Sequence, residues 1–232
     1  MVVLGGTSGI GLATAQAAAT AGAEVIVASS RASSVDKAMA ALPANARGHA
    51  LDLTDARAVS AFFDELGDID HLVYTAGESL AVGTLDDLDL DVAHQFFELR
   101  YFGALAAAKY AAPHLRSEGS ITLTTGGALH RPRAGWTVAA SVIGAVDALN
   151  RALAVELAPI RVNVVCPGVV RSPLWASMSE VERERFYREV GSGLLTGRVG
   201  EPEDVARGYL FLMSDPYATG TVLTLDGGGA LV

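Results

Sequence analysis

Closely spaced glycines near the N-terminus restrict the possible folds of this chain more strongly than any other part of its sequence. They form the run Gly5-Gly6-Thr7-Ser8-Gly9-Ile10-Gly11, which directly follows the apolar residues Met1 to Leu4 and directly precedes the helical pattern Leu12 to Ala17. Glycines let the chain turn sharply off a strand and let backbone N–H groups approach a phosphate, while the N-terminus of the following helix adds partial positive charge. A glycine run alone also suits a tight turn in any α/β protein. Because strand, turn and helix follow in this order, the run predicts a pyrophosphate-binding turn.

Apolar runs of strand length alternate with Ala-rich helical stretches along the whole chain. The predicted strands are Met1 to Leu4, Glu24 to Ala28, Gly48 to Leu51, His71 to Tyr74, Ser120 to Thr124, Arg161 to Val165 and Val222 to Leu225. This alternation predicts an α/β fold with a parallel sheet covered by helices on both faces. At 232 residues and without a visible linker, the chain is expected to form a single domain, residues 1–232.

One region, Arg171 to Gly200, interrupts this alternation. It contains a charged helical stretch, Ser179 to Arg185, which we interpret as a solvated flap over a substrate pocket. An exposed surface helix without a function explains the same pattern equally well. The sequence Gly191-Ser192-Gly193 lacks the strand-to-helix setting of a hydrolase nucleophile and is interpreted as a flexible part of the flap.

Charge and cysteine content argue against several classes of function. The net charge of −9, from 17 Lys and Arg against 26 Asp and Glu, disfavours a nucleic-acid surface, which needs clustered cations. The apolar runs are short and interrupted, so none is expected to approach the roughly 20 residues of a membrane span. The single Cys166 cannot form an internal disulfide, the histidines show no metal-ligand spacing, and the N-terminus has no signal-peptide pattern. We therefore expect a cytoplasmic protein without a metal site or a membrane partner.

The residues that end the second predicted strand indicate which dinucleotide is preferred. An acidic side chain at this point accepts hydrogen bonds from the adenosine ribose of NAD and repels the extra phosphate of NADP. This chain instead has Ala28-Ser29-Ser30-Arg31, whose hydroxyls and guanidinium suit a 2′-phosphate. The sequence therefore predicts NADP(H) as cofactor. A polar loop in which Ser33 or Ser34 caps the next helix is the alternative interpretation.

Asp52 follows the third predicted strand and is a candidate acceptor for the adenine amino group. Its alternative role is to cap the helix that starts near Asp55.

Several further motifs, taken with the glycine run, resemble one family. They are Asp52-Leu53-Thr54-Asp55, Leu72-Val73-Tyr74-Thr75-Ala76-Gly77, Ile160-Arg161-Val162-Asn163-Val164-Val165-Cys166-Pro167-Gly168 and Asp226-Gly227-Gly228. In this order and across the whole chain they resemble the short-chain dehydrogenase/reductase family. The resemblance implies a Rossmann-like, doubly wound sheet of about seven strands, and a homodimer or homotetramer assembled through long helices and the C-terminus.

The resemblance also implies cofactor contacts beyond the glycine turn. Ala76 and Gly77 would lie against the adenosine ribose, Pro167 and Gly168 would flank the nicotinamide, and the segment from Val170 to Ser172 would hold its carboxamide. The complete predicted cofactor site is Gly5, Thr7, Ser8, Gly9, Ile10, Gly11, Ser29, Ser30, Arg31, Asp52, Leu53, Ala76, Gly77, Pro167, Gly168, Val170 and Ser172.

The catalytic residues that the family uses are missing from their expected positions. The family pattern has an Asn in the fourth helix, a Ser after the fifth strand and a Tyr-x-x-x-Lys pair in the fifth helix; the Tyr exchanges a proton with the substrate oxygen. Counting without gaps from three anchors (Gly103 to Pro113, Gly119 to Ile121, and Val146 to Leu157) assigns these positions to Arg100, Gly126, Ala139 and Ile143. The only lysines are Lys37 and Lys109. Because general acid–base catalysis contributes roughly 10² to 10⁴ in rate, ordinary carbonyl reduction is not expected.

Several residues are candidate substitutes, each with a less specific alternative. Arg100 suits a carboxylate or an oxyanion, or is a helix-surface arginine paired with a carboxylate or carbonyl. His130 is a candidate proton donor or an exposed loop histidine. Tyr101 and Tyr74 are candidate phenol donors or packed side chains with satisfied hydroxyls. The remaining candidates are the hydroxyls of Thr125 and Ser141 and a possible ligand-binding loop with Arg131, Arg133 and Trp136.

Two classes of function therefore remain open. One is an NADP(H)-dependent oxidoreductase with an unconventional proton donor, acting on a small carbonyl, imine or polarised alkene. The other is a cofactor-binding protein without turnover, in which side chains around Ala139 and Ile143 fill the active-site pocket. A vestigial cofactor site is a third and weaker alternative.

Overall fold

The structure is a computed structural model that describes residues 1–78 and 83–232. A single parallel sheet of seven strands has the order β3-β2-β1-β4-β5-β6-β7. The strands are β1 Val2–Leu4, β2 Ile26–Ser29, β3 Arg47–Ala50, β4 Ile69–Tyr74, β5 Leu115–Thr124, β6 Arg161–Pro167 and β7 Val222–Leu225. The predicted α/β fold is confirmed. The largest error lies at the start of β5, which begins at Leu115 instead of Ser120 because Leu115 pairs with Ile69 before a register shift.

Helices cover both faces of this sheet. They are α1 Gly9–Thr20, α2 Ala32–Met39, α3 Ala56–Leu66, α4 Leu90–Phe97, α5 Gly103–Ala111, α6 Thr137–Glu156, α7 Glu180–Gly193 and α8 Pro202–Ser214. Neighbouring residues of β1 point to opposite faces, as the period of a strand requires. Val3 lies in a buried cluster with Tyr209 of α8, whereas Leu4 lies in another with Phe63 of α3 and Leu153 of α6.

The strand order reverses at β1, and this places the candidate site. Leu4, the last residue of β1, pairs with Ala28 of β2 on one side and with Tyr74 of β4 on the other. In doubly wound sheets the ligand crevice lies beyond the carboxyl ends of the strands at this reversal. The glycine run follows Leu4 directly and therefore lies in this crevice.

Helix α6 corrects one expectation from the sequence. Within its 20 residues, a stretch of 18 has a mean hydropathy of 1.5, so by length and composition the helix is apolar enough to cross a membrane, although half of that stretch is buried inside the fold. The expectation that no apolar stretch approaches this length was wrong. It considered uninterrupted apolar runs, whereas α6 reaches its average around the polar residues Asp147, Asn150 and Arg151. Such an average is also typical of a helix packed on a sheet.

The predicted charged helix is present as α7, and one part of its interpretation is wrong. Ser179 and Glu182 form a capping box at its start, and Tyr187 is buried with Trp175 and Val199. Gly191 to Gly193 form its last residues rather than a flexible loop. A Cβ atom on Gly191 would lie 3.1 Å from the Arg198 backbone, so this glycine permits close packing.

Candidate active site

The glycine turn packs tightly against the end of β4. The Gly5 N–H donates to the Ala28 carbonyl at 2.9 Å, and the Thr75 N–H donates to the Leu4 carbonyl at 2.8 Å. Gly5 has a φ of +82°, and a Cβ atom there would lie 2.5 Å from the Ala76 backbone nitrogen. On Gly11 a Cβ atom would overlap the Gly5 carbonyl oxygen and the Thr75 hydroxyl. Only glycine fits these two positions, and the first turn of α1 is thereby held directly beyond β1 and β4.

The N-terminus of α1 keeps the properties of an anion site. Ser8 is its exposed N-cap and makes no side-chain cap hydrogen bond within the described residues. The first N–H groups of α1 are therefore available to a phosphate, together with the positive end of the helix dipole. Thr7 and Ile10 flank this point and are half-buried.

Residues from the end of β6 approach the same turn from the other side. A Cβ atom on Gly9 would lie 3.3 Å from the Ser172 Cβ atom, and one on Gly168 would lie 2.7 Å from the Asp226 Cα atom. Val170 is buried, and its carbonyl accepts a hydrogen bond from the Trp175 indole at 3.0 Å. The structure thus brings the segment from Pro167 to Ser172 to the edge where the glycine turn lies.

The end of β2 leaves its polar residues accessible. Ser29 is half-buried, whereas Ser30 and Arg31 are exposed. Arg31 is the N-cap residue of α2, and Ser33 and Ser34 lie inside that helix. The alternative in which Ser33 or Ser34 caps the helix is therefore wrong.

Asp52 and Asp55 have separate roles after β3. Asp52 accepts hydrogen bonds from the backbone N–H and the hydroxyl of Thr54, which hold the pKa of its carboxyl below the usual value. Asp55, not Asp52, caps α3 by accepting from the N–H groups of Arg57 and Ala58. The capping alternative for Asp52 is therefore wrong. Its carboxylate is exposed beside the buried Leu53.

The positions counted for catalytic residues lie around one part of the carboxyl edge. Gly126 follows β5, and a Cβ atom there would meet only the Pro167 carbonyl oxygen, 4.0 Å away, within 4 Å among the described residues. Ala139 and Ile143 belong to an apolar wall of buried residues, namely Phe96, Ala128, Ala139, Val142 and Ile143. Space therefore exists for a side chain at position 126, whereas positions 139 and 143 are closely packed by apolar neighbours.

A small cleft separates the end of β4 from α6. Its volume is about 30 Å³, and its lining is Tyr74, Thr75, Ala76, Arg100, Ala104, Leu123, Thr124, Ile143 and Val146. Arg100 and Ile143 thus face the same space from opposite helices. The positively charged side chain of this cleft is therefore Arg100, whereas Ile143 contributes an apolar surface.

A π-helical turn, Glu98–Phe102, joins α4 to α5 and carries Arg100. Such turns add a residue to the helix and change the direction of the side chains they carry. The Arg100 side chain is 18% exposed. Its guanidinium lies 4.6 Å from the centre of the Phe96 ring, and its Nη2 donates to the Glu78 carbonyl oxygen at 2.5 Å. Arg100 is thus half-buried, and it pairs with the carbonyl and the carboxylate of Glu78, which is the pairing that its alternative interpretation expected.

Glu78 completes this ion pair and was missed by sequence reasoning. Its Oε2 atom lies 3.5 Å from Nε of Arg100, and the side chain is 35% exposed. Burial raises the pKa of the Glu78 carboxyl, and the Arg100 guanidinium only partly opposes this effect. The available signal was an acidic residue directly after Ala76 and Gly77, in a segment expected to lie against the cofactor.

The other candidate proton donors are exposed, packed against a ring or already hydrogen-bonded. His130 is exposed, with its Nε2 atom 3.2 Å from the Thr224 hydroxyl. Tyr101 is half-buried, with its ring centre 5.1 Å from that of Phe102. Tyr74 donates its hydroxyl to the Leu99 carbonyl at 2.5 Å, and burial raises its pKa.

Hydroxyl and loop candidates are also engaged elsewhere. Ser141 donates to the Thr137 carbonyl within α6 at 2.8 Å. Thr125 is the exception, because it is buried and its hydroxyl has no hydrogen-bond partner within the described residues. In the loop after β5, Arg131 donates to the Gly229 carbonyl at 3.4 Å, and Arg133 lies 5.7 Å from the centre of the Trp136 ring.

The doubly wound sheet and the glycine turn at its reversal define a dinucleotide-binding class of protein. The family described as Enoyl-(Acyl carrier protein) reductase matches residues 5–229. Short-chain dehydrogenase/reductase ucsE of Acremonium sp is 38% identical over 250 residues, which cover 100% of this chain and 95% of that relative. The chain belongs to the short-chain dehydrogenase/reductase family, whose members are oxidoreductases that use nicotinamide dinucleotides.

Solved structures agree with this assignment. A small-chain dehydrogenase in complex with NADPH superposes with a TM-score of 0.86 at 36% identity, covering 100% of this chain and 98% of the other. The MalC reductase/Diels-Alderase of Malbranchea aurantiaca superposes with a TM-score of 0.91 at 31% identity, covering 100% and 96%.

Proposed function

We propose that this protein is an NADP(H)-dependent oxidoreductase whose active site lacks the Asn, Ser, Tyr and Lys of the family pattern. The observation that carries the proposal is the combination of a tightly built glycine turn with Arg100, Gly126, Ala139 and Ile143 at the counted positions. The turn excludes even a Cβ atom at Gly5 and Gly11, which is the geometry of a close approach between backbone and phosphate. Beside it, the usual phenol and amine are replaced by apolar side chains.

The residues at the carboxyl edge fit a dinucleotide. The N-terminus of α1 would hold the pyrophosphate, Asp52 and Ala76 would contact the adenosine, and the segment from Pro167 to Ser172 would contact the nicotinamide. When bound, the cofactor supplies a hydride. Ser29, Ser30 and Arg31 would hold a 2′-phosphate. The NADPH complex of the 36% identical relative supports NADP(H) over NAD(H).

Arg31→Ala is expected to weaken NADPH binding about tenfold to a hundredfold and to leave NADH binding unchanged. A hydrogen bond to a charged group contributes about 1.5 to 3 kcal/mol, and only NADPH carries the phosphate that Arg31 would bind. Titration of protein fluorescence with each nucleotide measures both affinities. Arg57→Ala, which removes another exposed arginine on the next helix, is the control. Equal losses for NADPH and NADH, or no loss for either, would contradict the assignment.

The missing phenol restricts the acceptors that such a site reduces efficiently. Hydride addition to a ketone creates an alkoxide, which needs a proton at once. A protonated imine needs none, because the hydride neutralises it. A polarised alkene needs its proton less urgently, because the negative charge left by hydride addition spreads over the conjugated group. We therefore expect imines and polarised alkenes to be better acceptors than ordinary ketones.

NADPH oxidation followed by absorbance over a panel of ketones, imines and conjugated alkenes tests this expectation. Ketone reduction should be at least about 10²-fold slower than in a family reductase with the complete catalytic set, measured in parallel. Ketone rates equal to those of that reductase would contradict the expected preference for imines and polarised alkenes.

A binding protein without turnover is the second candidate. It is favoured by the apolar wall, in which Ala139 and Ile143 are only 5% and 8% exposed. The same panel separates the two functions, because this candidate binds NADPH but oxidises it with no acceptor.

A further inference from the structure

We propose that Glu78 is the proton donor of this active site and that Arg100 is the residue that positions it. The inference rests on the proposed function, because it assigns the donor for the same reductase site. No family pattern used above places an acid at this position.

The first argument is location. Glu78 directly follows Ala76 and Gly77 at the end of β4, and Ala76 and Arg100 line the cleft that Ile143 borders from α6. Arg100 also contacts Phe96, which belongs to the same apolar wall as Ala139 and Ile143. The ion pair therefore lies beside the positions that a family member fills with its phenol and amine.

The second argument is that the surrounding residues fix the carboxyl group. A Cβ atom on Gly77 would lie 2.8 Å from the guanidinium atoms of Arg100, so the guanidinium rests directly on this glycine. The guanidinium also lies 4.6 Å from the centre of the Phe96 ring, and Nη2 of Arg100 donates to the backbone carbonyl of Glu78 itself. Arg100 thereby holds the backbone from which the carboxyl group projects.

The third argument is that one oxygen of the carboxyl remains available. Glu78 Oε2 and Arg100 Nε are buried atoms 3.5 Å apart, and neither has a hydrogen-bond partner within residues 1–78 and 83–232. A hydrogen bond between them would need a distance near 2.9 Å. The oxygen is therefore near a cation without being hydrogen-bonded to it.

Protonation of this carboxyl follows from its surroundings. Burial disfavours the charged form and raises the pKa, while Arg100 lowers it by a smaller amount. Tyr74 of β4 is the other titratable group of this cluster, and burial keeps its phenol neutral. An acid whose pKa is raised beside a cofactor-binding segment has a property that general acids share.

The proposed step is balanced. A hydride adds to the carbon of a C=O or C=N acceptor, and the electron pair of the π bond moves to the oxygen or nitrogen. The Glu78 O–H bond breaks, and its proton forms the new O–H or N–H bond. The resulting carboxylate is stabilised by Arg100 and is protonated again from solvent, which reaches the 35% of the side chain that is exposed.

Steady-state rates and pH profiles of Glu78→Gln and Glu78→Asp test the assignment with the ketone or neutral imine that the wild type reduces fastest, because a protonated imine needs no proton donor. Glu78→Gln should lose about 10² to 10⁴ in kcat, because an amide is not an acid, while its NADPH affinity changes by no more than a few-fold. Glu78→Asp should retain part of the rate. In the wild type kcat should fall as the pH rises through the pKa of Glu78, and this limb should be absent in Glu78→Gln. Glu118→Gln, which removes an exposed carboxyl from the opposite end of β5, is the control and should match the wild type.

Chemical rescue separates an acid from a structural residue. Acetate or formate should restore turnover to Glu78→Ala in proportion to the concentration of the undissociated acid. A Glu78→Gln variant that folds, binds NADPH and keeps the wild-type rate and pH profile overturns the inference but not the proposed function. Loss of activity in Glu78→Gln and Glu78→Ala without a change in pH limb and without rescue also overturns it. If the wild type itself reduces no acceptor, the proposed function fails, and the donor role fails with it.

Discussion

Replacing Gly11 by alanine is expected to weaken NADPH binding at least about a hundredfold and to lower the free energy of unfolding by about 3 kcal/mol. The added Cβ atom would overlap the Gly5 carbonyl oxygen and the Thr75 hydroxyl, and would lie 3.0 Å from the Gly5 carbonyl carbon. Two of these three atoms are backbone atoms in a turn that Ala76 confines from the other side. The overlap is therefore removed only if α1 moves away from β1. The N–H groups in the first turn of α1 then no longer converge on the position of the phosphate.

Calorimetric titration with NADPH and denaturant unfolding measure the two effects. Gly144→Ala is the matched control, because Gly144 lies in α6 and a Cβ atom there would meet nothing within 4 Å among the described residues. Alanine in a helix interior is more favourable than glycine, so this control should gain about 0.5 to 1 kcal/mol. Unchanged NADPH affinity in a folded Gly11→Ala protein would remove the glycine turn from the cofactor site.

Replacing Arg100 by methionine is expected to lower the free energy of unfolding by about 2 kcal/mol at pH 8 and by less at pH 5. Removing one partner of a buried ion pair leaves the other without compensation, which costs about 3 to 5 kcal/mol when both are fully buried. The value expected here is smaller because the Glu78 side chain is 35% exposed. The pKa of Glu78 is raised in the folded protein, so its ionisation opposes folding as the pH rises above the range in which the unfolded carboxyl titrates. Without Arg100, ionisation of Glu78 destabilises the folded protein more strongly.

A double-mutant cycle with Glu78→Gln measures this coupling. The neutral amide needs no cation, so the double variant should recover most of the stability that Arg100→Met loses at pH 8. The exposed pair of Arg116 and Asp70, with N and O atoms 2.9 Å apart, is the control. Its cycle should give a coupling of about 0 to 1 kcal/mol. An Arg100→Met deficit that is equal at both pH values, or that Glu78→Gln does not reduce, would contradict the arrangement described.

Secondary structure was largely predictable from short-range pattern. All seven strands were predicted, because most are short apolar runs bounded by turn residues, as parallel strands buried on both faces require. The exception is β3, an edge strand with exposed ends. Errors arose where tertiary contacts decide where an element begins or ends. Leu115 joins β5 only because Ile69 lies beside it. The capping of α3 shows the same limit: both Asp52 and Asp55 are suitable residues, and the backbone path after β3 selects Asp55.

Residues of the candidate site were likewise predictable where their role depends on neighbouring residues in the sequence. The glycine turn could be predicted because it depends only on local sequence. Glycine between a strand and a helix permits backbone conformations and close approaches that other residues do not. The absence of a Tyr or Lys between residues 137 and 144 was equally visible. Glu78 was not recognised as a candidate because nothing local pairs it with Arg100, 22 residues away.

Sequence alone was therefore sufficient for the α/β fold, the dinucleotide turn and the apolar character of positions 139 and 143, since each follows from residue types at neighbouring positions. The buried pair of Glu78 and Arg100 became visible only in three dimensions. It depends on the π-helical turn that directs Arg100 inward, on Gly77 leaving space for the guanidinium, and on Phe96 covering it. Ion pairing and the pKa of a carboxyl depend on distance and burial, and the packing of separate elements sets both.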